Sequence, residues 1–523
     1  MLCWTRTVAF FDSPYAYCGK KEIFIHNKCI FVNTLTKRLV TWKSVHHVVN
    51  LGPVSTSGWF HRLLRWMYRP IDGSSVAVFR AGYGAIILWE VTRYFDHNWI
   101  KAYFTGKQFY FTYPGFSWVH PWPTLELMEW HFILIGVLAT MVMVGFCYRF
   151  AAAGLAVAFS YVYLLEQARY LNHFYFVILV AIAMIFIPAH RSWSVDSLLK
   201  SKFSWWPFLK KRSPFTDNWG LWAIRAQFGI TYFYGGLAKL NEDWLRGYPL
   251  SDWIYDETDV IFIGQWVQER WMGLLLSYSG LMLDLLLVPF LLYKRTRWLG
   301  FALALSFNYM NDQMFSIGIF PMFMVLGTLT FWESDWPKRV WDFCTIENGK
   351  WKVESTKRKA GSAYAKATSG KQRVLAGFMV VFFAYQFLFP LRHWAYPGSV
   401  HWTEEGHMYS WHMKLRSKRG RVMFVVKDPD TDSTYSIDPD DYLNRRQERK
   451  MASRPTMILQ FAHWLEGNYH AEGMKNVEIY ADSFAALNGR QEQRLIDPSV
   501  DLAQVEWSIF PQKWIVPLHT ERR

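Results

Sequence analysis

The chain has 523 residues, of which 52% are hydrophobic and 19% aromatic, and its formal net charge is +15. The apolar residues are gathered into runs of about 18 residues or more, the length that crosses a bilayer as a helix. This pattern excludes a soluble protein and predicts a polytopic α-helical membrane protein, whose positive charge reflects basic cytoplasmic loops and no nucleic-acid partner. The five cysteines show no metal-ligand spacing, so no metal site is predicted.

The first part of the chain, residues 1–70, is predicted to be an N-terminal extension. It has no apolar stretch followed by a cleavage site of small residues, and therefore no clear signal peptide. Residues 60–69 alternate basic and apolar side chains, a pattern that indicates a helix lying on an anionic membrane surface. Pro70 ends that helix.

Residues 71–393 are predicted to form the membrane region, with about nine transmembrane helices. The predicted spans are roughly 76–96, 127–147, 149–167, 171–189, 219–240, 272–293, 296–312, 315–332 and 372–392. This count places the loops rich in lysine and arginine on one side and the acidic loop after the fifth span on the other. By the positive-inside rule, the N-terminus is cytoplasmic and the C-terminal domain is lumenal or extracytoplasmic.

From about residue 394 the composition becomes that of a soluble domain of about 130 residues. Strands are predicted at 421–427, 433–437 and 477–481, and a helix is predicted at 456–465. Residues 394–523 are therefore predicted to form a β-rich or mixed α+β domain on the non-cytoplasmic face of the membrane.

The fifth predicted span carries the strongest functional signal, because Lys239 lies at its end, after Gly235 and Gly236. Such a lysine is either an anchor that extends to the membrane interface or a buried functional group, and the residues alone leave both interpretations open. Burial disfavours the ammonium form, and a neutral amine is a competent general base. Glu242 and Asp243 would oppose that loss of charge if they approached the amine.

The topology brings polar side chains from three spans to the same end of the bundle. They are Asn172 and His173 in the fourth span, Tyr232 and Lys239 in the fifth, and Asn308, Asn311 and Gln313 in the seventh. Such a group predicts a pocket for a lipid-like molecule with a polar head. The alternatives are a helix cap at Asn172 and hydrogen bonds between helices at Asn311 and Gln313.

Several segments resemble the vitamin K-dependent γ-glutamyl carboxylase family, which shares its membrane region with the horizontally transferred transmembrane domain group. They are VFR at 78–80, NH at 172–173, HRSWSVDSLL at 190–199, YFYGGLAKLNEDWLRGY at 232–248, MNDQMFSIGIF at 310–320, YSW at 409–411, IDPSVDLAQVEWS at 496–508 and KWIVPL at 513–518. These segments keep the family's order, so the resemblance covers both the membrane region and the C-terminal domain.

The resemblance implies an integral membrane enzyme that oxidises vitamin K hydroquinone, a phylloquinol or a menaquinol, with O2 to the 2,3-epoxide. The strong base formed in that oxidation removes a γ-proton from a glutamate of a protein substrate, and the resulting carbanion adds CO2. The implied catalytic residues are Lys239, which deprotonates the hydroquinone, and His173, which supports it. A quinone reductase is the implied functional partner.

The other site residues follow from the same match and from the predicted pocket. The residues expected to bind the cofactor are Asn172, His173, Tyr232, Asn311 and Gln313. The residues expected to bind the glutamate substrate are Tyr409, Ser410, Trp411 and Trp514.

The chain also departs from the family's animal members. They have a second lysine where this chain has Ala238 and a histidine where it has Asn308. The cysteines that join the two regions in those members are missing. Two alternatives therefore remain: an epoxidase or oxygenase that does not carboxylate, and a non-enzymatic membrane protein that binds a quinone or a lipid.

Overall fold

The computed structural model describes residues 23–25, 28–32, 39–41, 58–209, 213–255, 264–315, 317–345 and 370–519. The chain divides into two compact units, 1–63 and 64–523. In the first unit, the described strands β1 (Ile23–Ile25), β2 (Lys28–Val32) and β3 (Leu39–Thr41) form an antiparallel sheet. The helix predicted at 60–69 corresponds to α1 (Gly58–Met67), and most of the predicted extension 1–70 lies outside the described residues.

The second unit begins with a bundle of apolar helices. Its longer helices are α2 (Ser74–Asp96), α4 (Leu125–Val144), α5 (Tyr148–Leu164), α6 (Asn172–Phe186), α8 (Asn218–Ala238), α11 (Arg270–Leu292), α12 (Arg297–Phe315), α13 (Phe320–Leu329) and α15 (Gly370–Leu388). Shorter elements connect them: β4 (Pro70–Asp72), α3 (Trp99–Phe104), α7 (Val195–Lys202), β5 (Phe215–Asp217), α9 (Glu242–Leu245), α10 (Leu250–Ile254) and α14 (Trp336–Cys344).

Each predicted span overlaps one of these longer helices. Within the described ranges, three helices are long and apolar enough to cross a membrane: Leu125–Val144, Arg270–Leu292 and Gln372–Ala395. The helices α5, α6 and α13 are apolar but have 10–17 residues, fewer than the roughly 20 that a straight crossing requires. The count of nine crossings therefore stays a prediction.

An aromatic core holds α2, α6, α8 and α13 together. Phe79, Phe176, Phe228 and Phe323 are at most 1% exposed, and their ring centroids lie between 4.8 and 6.4 Å apart. Two of these pairs are nearly perpendicular, the edge-to-face geometry that aromatic rings prefer. Gly327 permits this approach, because a Cβ there would collide with the Phe228 ring.

Two charged side chains of α2, Arg80 and Glu90, are buried in the bundle, as expected for ionisable groups at membrane depth. The buried guanidinium of Arg80 donates to the carbonyl oxygens of Ala189 (3.2 Å) and Trp193 (2.7 Å). Glu90, also buried, pairs with Arg93 at 2.6 Å. The two carbonyl contacts of Arg80 tie α2 to the loop that follows α6.

The C-terminal domain is built on an antiparallel sheet in the order β7-β6-β8-β9. Its elements are α16 (Val400–Thr403), β6 (Lys418–Asp428), β7 (Ser433–Ile437), α17 (Arg445–Met451), α18 (Pro455–Ala471), β8 (Glu478–Leu487) and β9 (Gln493–Arg494). Alternate residues of β8 are buried and share a core with Phe424 and Phe461. The strand predicted at 433–437 is present with the same bounds, and the other two strands and the helix extend beyond their predicted C-terminal ends. The strand β9 is too short for its pattern to be recognised.

A buried ion pair joins the C-terminal domain to the helix bundle. Asp243 of α9 accepts hydrogen bonds from both terminal nitrogens of Arg490 (2.7 and 2.8 Å) and from Asn488 Nδ2 (2.6 Å). The neighbouring Glu242 instead pairs with Arg246 in an exposed contact of 2.6 Å. Neither carboxylate therefore serves as the partner of Lys239.

These two adjacent carboxylates give a matched test of the junction. We expect Asp243→Ala to lower the free energy of unfolding by about 2 kcal/mol, because it removes two charge-assisted hydrogen bonds from the partly buried guanidinium of Arg490. Glu242→Ala is the control and should cost less than about 1 kcal/mol, since its ion pair is exposed. Thermal unfolding in detergent measures both variants, and equal effects would contradict the assigned role of Asp243.

Candidate functional site

A cavity of about 240 Å³ lies between α8, α11, α12 and α13. It is larger than the roughly 150 Å³ cavity that holds a benzene ring. Most of its wall is apolar, and its polar lining residues are Thr231, Tyr232, Lys239, Ser279, Asp284, Ser306, Asn308, Asn311 and Lys414. An apolar cavity with a few converging polar groups is the usual form of a small-molecule site.

Lys239 turns its amine into this cavity and binds a buried carboxylate. Its Nζ donates to Asp284 Oδ2 of α11 at 2.6 Å and to the carbonyl oxygen of Gly235 at 3.2 Å, and it lies 5.3 Å from the centroid of the Trp244 ring. Lys239 and Asp284 are 7% and 5% exposed. The amine is thus enclosed by the bundle and does not extend outward as an anchor.

Glycines allow the two helices to bring this pair together. A Cβ on Gly236 would lie 2.7 Å from Leu285 of α11, closer than a side chain tolerates. Across the interface, a Cβ on Gly280 would lie 3.8 Å from Lys239 Cε, so that glycine borders the lysine side chain. The small residues at the end of α8 therefore set the approach that buries the ion pair.

Tyr232 and Asn308 form a second polar group on the cavity wall. Tyr232 lies seven positions, about two helical turns, before Lys239 and therefore on the same face of α8. Its buried hydroxyl forms no hydrogen bond of ordinary geometry and lies beside the Asn308 side chain. Asn308 Nδ2 donates to the carbonyl oxygen of Ala304 at 2.8 Å. The tyrosine hydroxyl is thus available to a polar group of a ligand.

Asn311 and Gln313 do not share a position relative to the cavity. Asn311 lines it together with Asn308, three residues earlier on α12, whereas Gln313 is exposed and is not a lining residue. Residues two positions apart face nearly opposite sides of a helix. Asn311 and Gln313, which were both predicted to bind the cofactor, therefore cannot both face the cavity.

Asn172 and His173 lie behind the cavity wall. The His173 ring packs against Phe320, which lines the cavity, at a centroid distance of 5.9 Å. Asn172 does not cap its helix; Leu171 occupies that position. Asn172 Oδ1 instead accepts a hydrogen bond from Tyr170 Oη at 2.7 Å, and its Nδ2 donates to the carbonyl oxygen of His412 at 3.3 Å.

The predicted substrate segment continues this hydrogen-bonded chain. The backbone N–H of Tyr409 donates to Tyr170 Oη at 2.7 Å, so Tyr409 is linked to Asn172 through one hydroxyl. Ser410 Oγ accepts from Arg392 at 3.0 Å, and the Trp411 ring lies against α6. Ser410 and Trp411 are each only 1% exposed, while Tyr409 is half-buried.

The backbone around this segment is unusual. Four non-glycine residues within 404–414 adopt a positive φ: Glu404 (67°), Tyr409 (63°), Trp411 (60°) and Lys414 (50°). Each such residue is held at a cost of roughly 1 kcal/mol or more, and they cluster where a structure needs a particular side-chain direction. Segment 404–414 therefore resembles the strained segments found at functional sites.

Trp514 lies apart from this arrangement. Its ring belongs to the core of the C-terminal domain, and its indole N–H donates to Gln512 Oε1 at 2.8 Å. It is not a lining residue of the cavity. Its contacts are those of a residue that supports the fold of that domain.

Two charged lining residues of the cavity, Asp284 and Lys414, are not among the site residues predicted from the sequence. Asp284 carried a recognisable signal, because a lone carboxylate in an apolar helix usually faces a partner. Lys414 carried none, since its position depends on the left-handed backbone of its segment. The described residues contain no group of three His, Cys, Asp or Glu side chains that can hold a metal ion.

Histidines surround the junction between the last helix and the C-terminal domain. The rings of His393, His401 and His407 lie 4.8–5.3 Å from that of His412. Burial, with nearby cations, lowers the pKa of His401 to about 3 and the pKa values of His407 and His412 well below the usual range. A second cavity, of about 480 Å³, is lined by three of these histidines and by the end of α8.

These histidines make stability depend on pH. His401 is neutral when folded and protonates near pH 6.5 when unfolded, so the unfolded chain binds more protons between pH 6.5 and 3. The free energy of unfolding should therefore be highest above pH 6.5. Below that pH it should fall by up to about 1.4 kcal/mol per pH unit for each such histidine. Unfolding measured from pH 7.5 to 5 should show a shallower slope in His401→Gln, and an unchanged slope would contradict this assignment.

Two family models match the chain. The HTTM domain matches residues 68–336, just over half of the chain, and the lumenal domain of vitamin K-dependent gamma-carboxylase matches residues 371–521. No solved structure matches the chain. The second match begins at the start of α15 and therefore includes the last helix of the bundle. The chain thus belongs to the vitamin K-dependent gamma-carboxylase family, as a protein that joins an HTTM domain to a gamma-carboxylase lumenal domain.

Proposed function

We propose that this protein oxidises vitamin K hydroquinone with O2 to the 2,3-epoxide and uses that oxidation to carboxylate glutamate side chains of a protein substrate with CO2. The observation that carries the proposal is the buried Lys239–Asp284 pair in a largely apolar cavity. When bound, the hydroquinone and O2 supply the strong base that glutamate deprotonation requires, which no side chain provides.

The cavity suits an aromatic ring with oxygens at its edge. Its wall is apolar enough for the ring, and the buried Tyr232 hydroxyl lacks a hydrogen-bond partner of ordinary geometry. Asn308 and Asn311 add amide groups on one face of α12. In the proposed complex, these three side chains orient the ring by hydrogen bonds to its oxygens.

Lys239 is proposed to accept the proton of a ring hydroxyl. In the low-dielectric cavity, two opposite charges are costly to keep, and the 2.6 Å contact allows the shared proton to lie on Asp284 Oδ2. The amine then has a free electron pair and accepts the ligand's proton at Nζ. Asp284 in this role holds the amine in place and keeps the shared proton, and the ammonium that then forms is balanced by the ionised oxygen of the ligand.

The remaining predicted residues are assigned supporting roles. His173 packs behind Phe320 and fixes the cavity wall, while Asn172 connects that wall to segment 404–414. Tyr409, Ser410 and Trp411 are proposed to lie beside the glutamate substrate. We further propose that the N-terminus is cytoplasmic, that the C-terminal domain is lumenal, and that a quinone reductase regenerates the hydroquinone.

One observation favours a second candidate function, oxidation without carboxylation. Ser410 and Trp411 are almost completely buried, so a peptide reaches them only if segment 404–414 moves. The groups proposed for oxidation need no such movement, because they already line one cavity. An epoxidase or oxygenase reaction therefore requires no movement of segment 404–414.

The test is an assay of the purified protein in detergent with reduced vitamin K, O2, labelled bicarbonate and a short glutamate-containing peptide. We expect the unmutated protein to form epoxide and fix label, and Lys239→Ala to lose both by at least about 100-fold, the usual contribution of a general base. Lys475→Ala, which removes an exposed lysine of the C-terminal domain, is the matched control and should retain both.

The outcomes separate the candidate functions. Epoxide that depends on Lys239 but forms without fixed label supports the oxygenase. Absence of epoxide from a folded preparation contradicts both enzymes and leaves a membrane protein that binds a quinone or a lipid.

A further inference from the structure

A second lysine lines the cavity that contains Lys239. Lys414 comes from segment 404–414, and so from the extracytoplasmic side of the last helix, whereas Lys239 ends α8. Its Nζ lies 4.8 Å from the ring centroid of Phe315 and 5.7 Å from that of Trp253. These rings hold the ammonium by cation–π contacts.

The two lysines differ in how their charges are balanced. Lys239 is neutralised by Asp284 at 2.6 Å. No carboxylate in the described ranges lies within ion-pair distance of Lys414. Its ammonium instead contacts the two aromatic rings. Desolvation lowers the pKa of Lys414, and no acidic neighbour offsets that effect. Among the described lining residues, Asp284 offsets one of the two lysines, so this part of the lining carries one positive charge in excess.

The backbone of Lys414 indicates that its direction is structurally imposed. Its φ of 50° is in the left-handed region, where asparagine or glycine would be less strained. Met413, the residue before it, lines the same cavity and lies near Gly235. The turn therefore places two consecutive residues in the lining of the cavity, Met413 half-buried and Lys414 still exposed in part to solvent.

We propose that Lys414 is the counter-cation for a monoanionic aromatic ligand, so that the cavity selects a ring bearing an ionised oxygen over its neutral analogue. The proposal rests on the proposed function, because it assumes that the ligand is of the quinone class. The proton lost from the ligand hydroxyl goes to Nζ of Lys239, so the negative charge left on the ring oxygen faces two ammonium groups, the one formed at Lys239 and the one of Lys414.

Charge balance explains why Lys414 would favour a ligand that enters the cavity already ionised. Asp284 already compensates Lys239, so a ligand anion that entered with Lys239 and Asp284 alone would leave the cavity with a net negative charge. An uncompensated charge in an apolar site costs several kcal/mol, whereas an added ammonium restores neutrality. Lys414 supplies that charge at the extracytoplasmic side of the cavity.

The test compares two probes that differ in charge. One is a neutral 2-methyl-3-alkyl-1,4-naphthoquinone, and the other is a 2-hydroxy-3-alkyl-1,4-naphthoquinone, which is ionised at neutral pH. Calorimetric titration in detergent gives Kd for each probe, without any turnover. The variants are Lys414→Met and Lys414→Arg, with Lys475→Met as the control for loss of an exposed lysine charge.

We expect Lys414→Met to weaken binding of the anionic probe by about 10-fold, as loss of a nearby unit charge predicts, and to change binding of the neutral probe by less than about 2-fold. Lys414→Arg should retain the preference, and Lys475→Met should bind both probes as the unmutated protein does. Thermal unfolding of each variant establishes that it is folded.

Two results overturn the proposal in different ways. If both probes bind and Lys414→Met changes them equally or not at all, the role of Lys414 is wrong while the proposed function stands. If neither probe binds the unmutated protein, the cavity is not a quinone site, and the proposed function fails together with the role of Lys414.

Discussion

The buried contact between Lys239 and Asp284 is the interaction on which the rest of the site depends. Removing two charges from water costs several kcal/mol for each ion, and only a short, well-satisfied contact offsets it. Here the contact is 2.6 Å, and a backbone carbonyl and the Trp244 ring complete the surroundings of the amine. The pair therefore requires α8 and α11 to pack closely, which the glycines at their interface allow.

The site also depends on the C-terminal domain. Segment 404–414 lies between the last helix and β6, and it reaches the bundle at two places. Tyr409 is linked through Tyr170 to Asn172, and Met413 and Lys414 complete the cavity wall. The Asp243–Arg490 pair fixes the domain beside the end of α8. The two matched regions thus contribute residues to the lining of one cavity.

The positions of the helices and of the longer C-terminal strands follow from local patterns, so the sequence predicts them well. Lys239 is also recognisable, because a lysine near the end of an apolar helix is costly unless it has a role. Side-chain direction is harder to predict. The choice between Asn311 and Gln313 depends on helix phase. Trp514 lies in a segment that resembles the family, although its ring packs in the core of the C-terminal domain.

Long-range pairing limits prediction further. Asp284 is 45 residues from Lys239 along the chain, and Glu242 and Asp243 are nearer candidates by position. The structure gives those two carboxylates other partners, Arg246 and Arg490. Lys414 depends on a left-handed turn that no local pattern indicates. Such contacts arise from packing between helices and between domains, and a linear pattern does not encode them directly.

The central claim, that an amine in this cavity accepts the ligand's proton, is tested most directly by chemical rescue. Epoxide formation by Lys239→Ala would be measured while a small primary amine is added at constant ionic strength. The account predicts an inactive variant whose rate rises with the concentration of the neutral amine and does not respond to an equal concentration of salt. A Lys239→Ala protein that forms epoxide at the unmutated rate without any added amine would contradict the account.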